Sequence, residues 1–146
     1  MCGEKMMKLQ LERWEPIKNV NNDNINILSV TDCYDGLTIV LENMDSELLT
    51  IRWAMVESYC CSTEEARFRF IAGQWQQIRK EFPKWSFFKV ADSSYIKWMK
   101  EQAGGFMDEE EFMHFMIVSR DYVLDIVSKH EPDECYKKGG KEDGGI

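Results

Sequence analysis

Two histidines, five cysteines and twenty-six carboxylates are the side chains with which this chain would have to carry out proton transfer, nucleophilic attack or metal binding. His114 stands inside the apolar run Phe112 to Val118. A histidine there is more often a satisfied structural residue than a catalytic one, as base rates of burial suggest. His130 follows Lys129 next to a polar segment and reads as a surface residue. A Cys-His nucleophilic pair needs only proximity in space, and no spacing in the sequence supports one. Cys2, Cys33, Cys60, Cys61 and Cys135 are odd in number, irregularly spaced and without a CxxC pair or neighbouring histidines. Zinc ligation therefore has no support, and free thiols in a reducing compartment are expected.

The carboxylates fare no better as reaction centres. Asp32, Asp35, Glu42 and Asp45 offer hard oxygen ligands, but their spacing matches no calcium loop. Glycoside chemistry needs a carboxylate pair in a deep cleft, and an acid-rich chain supplies chance pairs. Gly104-Gly105 lacks the spacing of a phosphate loop. The expectation is a chain with no catalytic residues, no metal and no cofactor, which is not an enzyme. The run Asp108-Glu109-Glu110-Glu111 is the most conspicuous polar feature. It suits either contact with a basic partner or a charged turn that keeps the following apolar strand from aggregating.

Charge is distributed in blocks. Thr31 to Cys60 carries six acids and one base, Cys61 to Lys100 eight bases and four acids, and Glu101 to His130 seven acids and two bases. With a formal net charge of −8 the chain lacks the basic excess of a nucleic-acid binder. The candidate partner-binding residues are Asp32, Asp35, Glu42, Asp45, Glu47, Asp108, Glu109, Glu110 and Glu111. No apolar run approaches a membrane span of roughly 18 residues, and Met1 to Leu11 has no apolar core of a signal peptide. A cytoplasmic protein without membrane contact is expected.

The elements that must position these residues follow from periodicity. Residues 1–8 read as a loose leader, 9–132 as a single domain, and 133–146 as a disordered Gly/Lys-rich tail. Leu9 to Ile17, with Pro16, suits an edge strand; Asn19 to Asn26, with five Asn and one Asp, suits a loop. Asp35-Gly36 between apolar runs predicts a hairpin. Alternation predicts strands over Leu37 to Glu42 and Leu48 to Met55, the second continuing through Cys61 beyond a bulge. Ser62 to Glu65 fits a capping box opening a helix through Phe70; Ile71 to Phe82 can continue it with an interruption at Gly73, and Pro83 marks a break. Trp85 to Val90 is a strand. Asp92 or Ser93 caps a helix with Tyr95, Trp98, Met99 and Gln102 on one face, ending at Gly104-Gly105. Phe112 to Val118 is a central strand, and Tyr122 to Val127 suits strand or helix, the alternation of Tyr122, Leu124 and Ile126 with Asp125 favouring strand. The fold class is α+β: a mostly antiparallel sheet, a β-meander, with two or three helices packed on it.

The C-terminal half carries a resemblance. Its residues are Trp85-Ser86-Phe87-Phe88-Lys89-Val90, Asp92-Ser93-Ser94-Tyr95-Ile96-Lys97-Trp98, His114-Phe115-Met116-Ile117-Val118, Asp121-Tyr122-Val123-Leu124-Asp125-Ile126-Val127-Ser128 and Glu131-Pro132. Together with the Asp35 to Leu41 hairpin they resemble small proteins of Firmicutes, some encoded beside polymorphic toxins of the LXG type and regarded as their immunity proteins or antitoxins. The resemblance spans roughly Trp14 to Pro132, an ordinary domain length, and defines no binding residue. It implies a non-catalytic inhibitor that binds and neutralises the C-terminal toxic domain of a cognate toxin; nucleases are frequent among such toxins. The alternative is a small-molecule-binding or regulatory α+β domain, in which the sheet and the helix at Tyr95 enclose a pocket.

Overall fold

The computed structural model describes residues 10–63, 65–66 and 75–139. The chain is α+β and mostly antiparallel, but its strands form two sheets instead of one meander. The strands are β1 (Gln10–Arg13), β2 (Asn26–Cys33), β3 (Gly36–Glu42), β4 (Glu47–Trp53), β5 (Ser58–Thr63), β6 (Phe87–Ala91), β7 (Met113–Val118), β8 (Tyr122–Ser128) and β9 (Glu134–Gly139); the helices are α1 (Trp75–Glu81) and α2 (Ser94–Gln102). One sheet has the order β2-β3-β4-β9, the other β1-β6-β7-β8-β5. The expected edge strand is β1, and the dense apolar strand β7 is central in its sheet.

The main core lies between the sheets. Leu37, Ile39, Leu41, Leu49, Ile51 and Trp53 from β3 and β4 meet Phe87, Phe115, Ile117, Leu124 and Ile126 from β6, β7 and β8. Alternation along β3 and β4 is what turns this set inward. Trp14 joins the layers, with its ring centroid 4.7 Å from Phe115 and 6.1 Å from Trp53. The opposite face of the five-stranded sheet carries Phe88, Met116 and Val123, packed with Ile78 of α1. The five-stranded sheet is therefore buried on both faces. That explains why β7 and β8 read as nearly continuous apolar runs.

The meander ends at Trp53. It pairs with Leu37 at the β2–β3 turn, so residues beyond it have no neighbour in that sheet. A buried backbone group without a partner is costly, and the chain instead crosses over: the Glu57 amide donates to the Val127 carbonyl, and β5 pairs with β8. Val56 to Cys61 thus does not extend β4. The tail expected from residue 133 is also corrected, because Glu134–Gly139 forms β9 on the open edge of β4. Backbone pairing and the packing of Cys135 against the core hold it there, which composition alone does not reveal. Residues 1–8 and 140–146 lie outside the described residues, as does most of the helix expected through Phe70. At its start, Thr63 Oγ1 accepts from the Ala66 amide at 3.1 Å, so the cap sits one residue after Ser62, which belongs to β5.

Candidate functional site

The connections between the sheets place the carboxylates. Strand β3 runs from Gly36 to Glu42, so the β2–β3 and β3–β4 turns stand about 20 Å apart at opposite ends of the sandwich, from a rise of roughly 3.4 Å per residue. Asp32 and Asp35 lie at the first end; Glu42, Asp45 and Glu47 lie at the second. The nine candidates therefore do not form one patch. Glu47 is occupied structurally: it accepts from Asn43 Nδ2 at 2.9 Å and from Lys137 Nζ at 3.0 Å. The hydrogen bond from Asn43, and then Lys137, hold its carboxyl below the ordinary carboxylate range.

The first end gathers more. The β4–β5 and β8–β9 connections both pass there, because Trp53 pairs with Leu37 and Glu134 with Arg52. Glu110 forms an ion pair with Lys129, which immediately follows β8. Asp108, Glu109, Glu110 and Glu111 therefore share this end with Asp32, Asp35, Glu57, Glu131 and Asp133. Tyr59 Oη donates to Asp32 Oδ2 at 3.3 Å, linking the neighbouring edges of the two sheets. Large apolar side chains are exposed beside these acids. Tyr34 is fully exposed at the β2–β3 turn, Met55 is exposed in the crossover, and Phe106, two residues before Asp108, is 92% exposed.

Helix α2 leads into this surface. Ser93 caps it, its Oγ accepting from the Ile96 amide at 3.0 Å. Gly104 and Gly105, at φ 64° and 100°, follow the helix in conformations that glycine adopts without side-chain strain. The face predicted to pack does so only in part: Met99 is buried, whereas Trp98 is 53% exposed with its ring 6.2 Å from that of Tyr95.

Under the N-terminus of α2 lies a polar network that the sequence reading did not assemble. Ser93 Oγ is 2.7 Å from His114 Nδ1, and His114 Nε2 is 2.7 Å from Asp125 Oδ1. All three residues are buried. The ring of Tyr95 stands edge-on to His114, and its hydroxyl bonds Ser58 on β5; burial raises the Tyr95 pKa above its ordinary value. His114 is thus satisfied on both nitrogens. The available signal was register. A tight β7–β8 turn pairs Val118 with Val123 and Met116 with Asp125, which puts Asp125 on the face shared by His114 and Met116. Beside the network, between α2 and the β6–β7 surface, runs an open groove of about 460 Å³ that includes Ser93, Ile96, Phe112 and His114 in its lining.

The described cysteines are free thiols. Burial pushes Cys135 up to about 11 and also raises Cys61. Among the described residues no three His, Cys, Asp or Glu side chains gather as a metal site, and no helix is long and apolar enough to cross a membrane. Comparisons of the chain with known protein families, curated proteins and solved structures return no match.

Proposed function

We propose that this chain is an immunity-type inhibitor that binds the toxic domain of a cognate polymorphic toxin in the cytosol of the producing cell. The observation that carries the reading is the acidic end of the sandwich, where exposed Phe106, Tyr34 and Met55 share one end with the carboxylates of Asp32, Asp35 and Asp108 to Glu111. Aromatic anchors ringed by charge are what tight protein interfaces use: the apolar groups supply affinity, and the charges steer encounter. Full exposure of a phenylalanine costs solvation in the free protein, and a partner that covers it recovers that cost. The complementary partner is a positively charged cleft, such as a nuclease presents to phosphate. Glu42, Asp45 and Glu47, at the far end, have no part in this surface.

The test is association kinetics against the toxin domain. Reversing Asp108, Glu109 and Glu111 to Lys, while leaving Glu110 with Lys129, is expected to slow association at least about tenfold at low salt and to flatten its salt dependence. Unchanged kinetics would remove the acidic end from the interface.

A further inference from the structure

We propose that Ser93 is an acyl-accepting nucleophile, with His114 as its general base and Asp125 as a positioning residue, in a groove that takes small carboxylic esters. The inference goes beyond the inhibitor reading and stands or falls independently of any toxin partner.

One tautomer of the network sets up proton transfer. Ser93 Oγ accepts from the Ile96 amide and lies 2.7 Å from His114 Nδ1; with the ring proton on Nε2, the serine hydrogen points at Nδ1. Nδ1 is then the acceptor and Nε2 the donor, and Asp125 Oδ1 receives that Nε2–H at 2.7 Å. This is the tautomer that a general base for serine requires. The ring is turned over relative to the familiar serine proteases, in which Nε2 faces the serine, but both imidazole nitrogens are competent to accept a proton.

Three further features suit attack on a carbonyl. Ser93 lies on a strand-to-helix turn between β6 and α2, the setting of serine nucleophiles in other folds; here the left-handed residue is Asp92, at φ 53°, and Ser93 itself is extended. The first-turn amides of Ser94 and Tyr95 have no intrahelical acceptor, and the positive end of the helix dipole favours a developing oxyanion there. Ser93 and His114 both line the groove, whose wall is apolar at Val90, Ile96, Phe112 and Met113, where a short acyl chain fits, and charged at Lys97 and Lys100.

The step balances without any redox partner. Ser93 Oγ bonds to the carbonyl carbon and its proton passes to His114 Nδ1. The carbon–alkoxy bond breaks, and the alcohol leaves with that proton. Water then attacks the acyl-serine, giving one proton to Nδ1, from which it returns to Ser93 Oγ as the carboxylic acid departs.

The experiment is labelling of the full chain with a fluorophosphonate, which phosphonylates an activated serine with loss of fluoride, read by intact mass and peptide mapping. The expected result is one adduct per chain on Ser93. It should vanish in Ser93→Asn, which keeps a helix cap, and form at least about tenfold more slowly in His114→Gln. No adduct on the wild-type chain, an adduct on another residue only, or equal labelling of Ser93 in folded His114→Gln would overturn the proposal. Should His114→Gln fail to fold, the wild-type and Ser93→Asn pair decides: an adduct that persists in Ser93→Asn contradicts the proposal, and one that is lost while the melting temperature holds supports it.

Discussion

Glu47 opens β4 with one carboxylate oxygen on Asn43 and the other on Lys137, while Asn43 Oδ1 accepts from the amides of Asp45 and Glu47. This small network closes the β3–β4 turn, where Ser46 takes φ 62°. Because the folded carboxyl sits below its ordinary 4.5, its ionised form contributes stability that is fully present above the unfolded pKa. That contribution fades as pH falls through the depressed folded value. Glu47→Gln should therefore melt at a lower temperature than the wild-type chain at pH 7, with the gap closing as pH is lowered through and below the ordinary carboxylate range. Thermal melts across that range check it, and a gap independent of pH would show that the carboxylate charge is not what matters. Glu47 also shows how a surface acid misleads. In the sequence it is one of nine equivalent candidates, and its bonds to Asn43 and to Lys137, ninety residues away on β9, identify it as structural. Ser93 was legible as a cap, but its second bond to His114 was not, since that bond depends on how α2 lies on the sheet.

At the scale of elements, local signals worked where a strand's neighbour is adjacent in sequence. Asp35-Gly36 makes the β2–β3 hairpin, and the alternation of Leu37, Ile39 and Leu41 is the buried face of β3. Gly36 has φ 136°, and a Cβ there would come within 2.4 Å of the Trp53 carbonyl oxygen. Gly36→Ala is expected to cost about 2–4 kcal/mol, as strained backbone substitutions against rigid neighbours do. Urea denaturation measures it, and a loss below about 0.5 kcal/mol, the range of ordinary surface changes, would contradict the close approach. Local signals failed where the partner is distant. β5 looks like an extension of β4, but β8, sixty residues later, receives it. β9 looks like tail because lysines and glycines carry no pattern of burial, yet the open edge of β4 supplies its backbone partners. Two sheets instead of one follow from those two non-local pairings.

At the scale of the whole molecule, stacking the sheets decides which surfaces meet. The β2–β3 turn, both crossovers and the approach to β7 all lie at one end, so acids separated by seventy residues, with exposed Phe106 and Tyr34, belong to connections at that same end. Sequence blocks of charge announced the acids without showing that Asp45 and Glu47 face away from the rest. If this end is an interface, Phe106→Ala should leave the melting temperature within the scatter of surface substitutions and weaken partner binding about tenfold or more, as loss of an aromatic anchor does. The most direct test is neutralisation. The full chain is used as bait at low salt in its native cell extract, and the C-terminal domain of the captured toxin is then co-expressed with wild-type or Phe106→Ala chain. An inhibitor that binds through this end forms a one-to-one complex and rescues growth as the wild-type chain, and loses rescue as Phe106→Ala. Growth arrest that the wild-type chain does not relieve, or rescue equally strong with Phe106→Ala, would contradict that role.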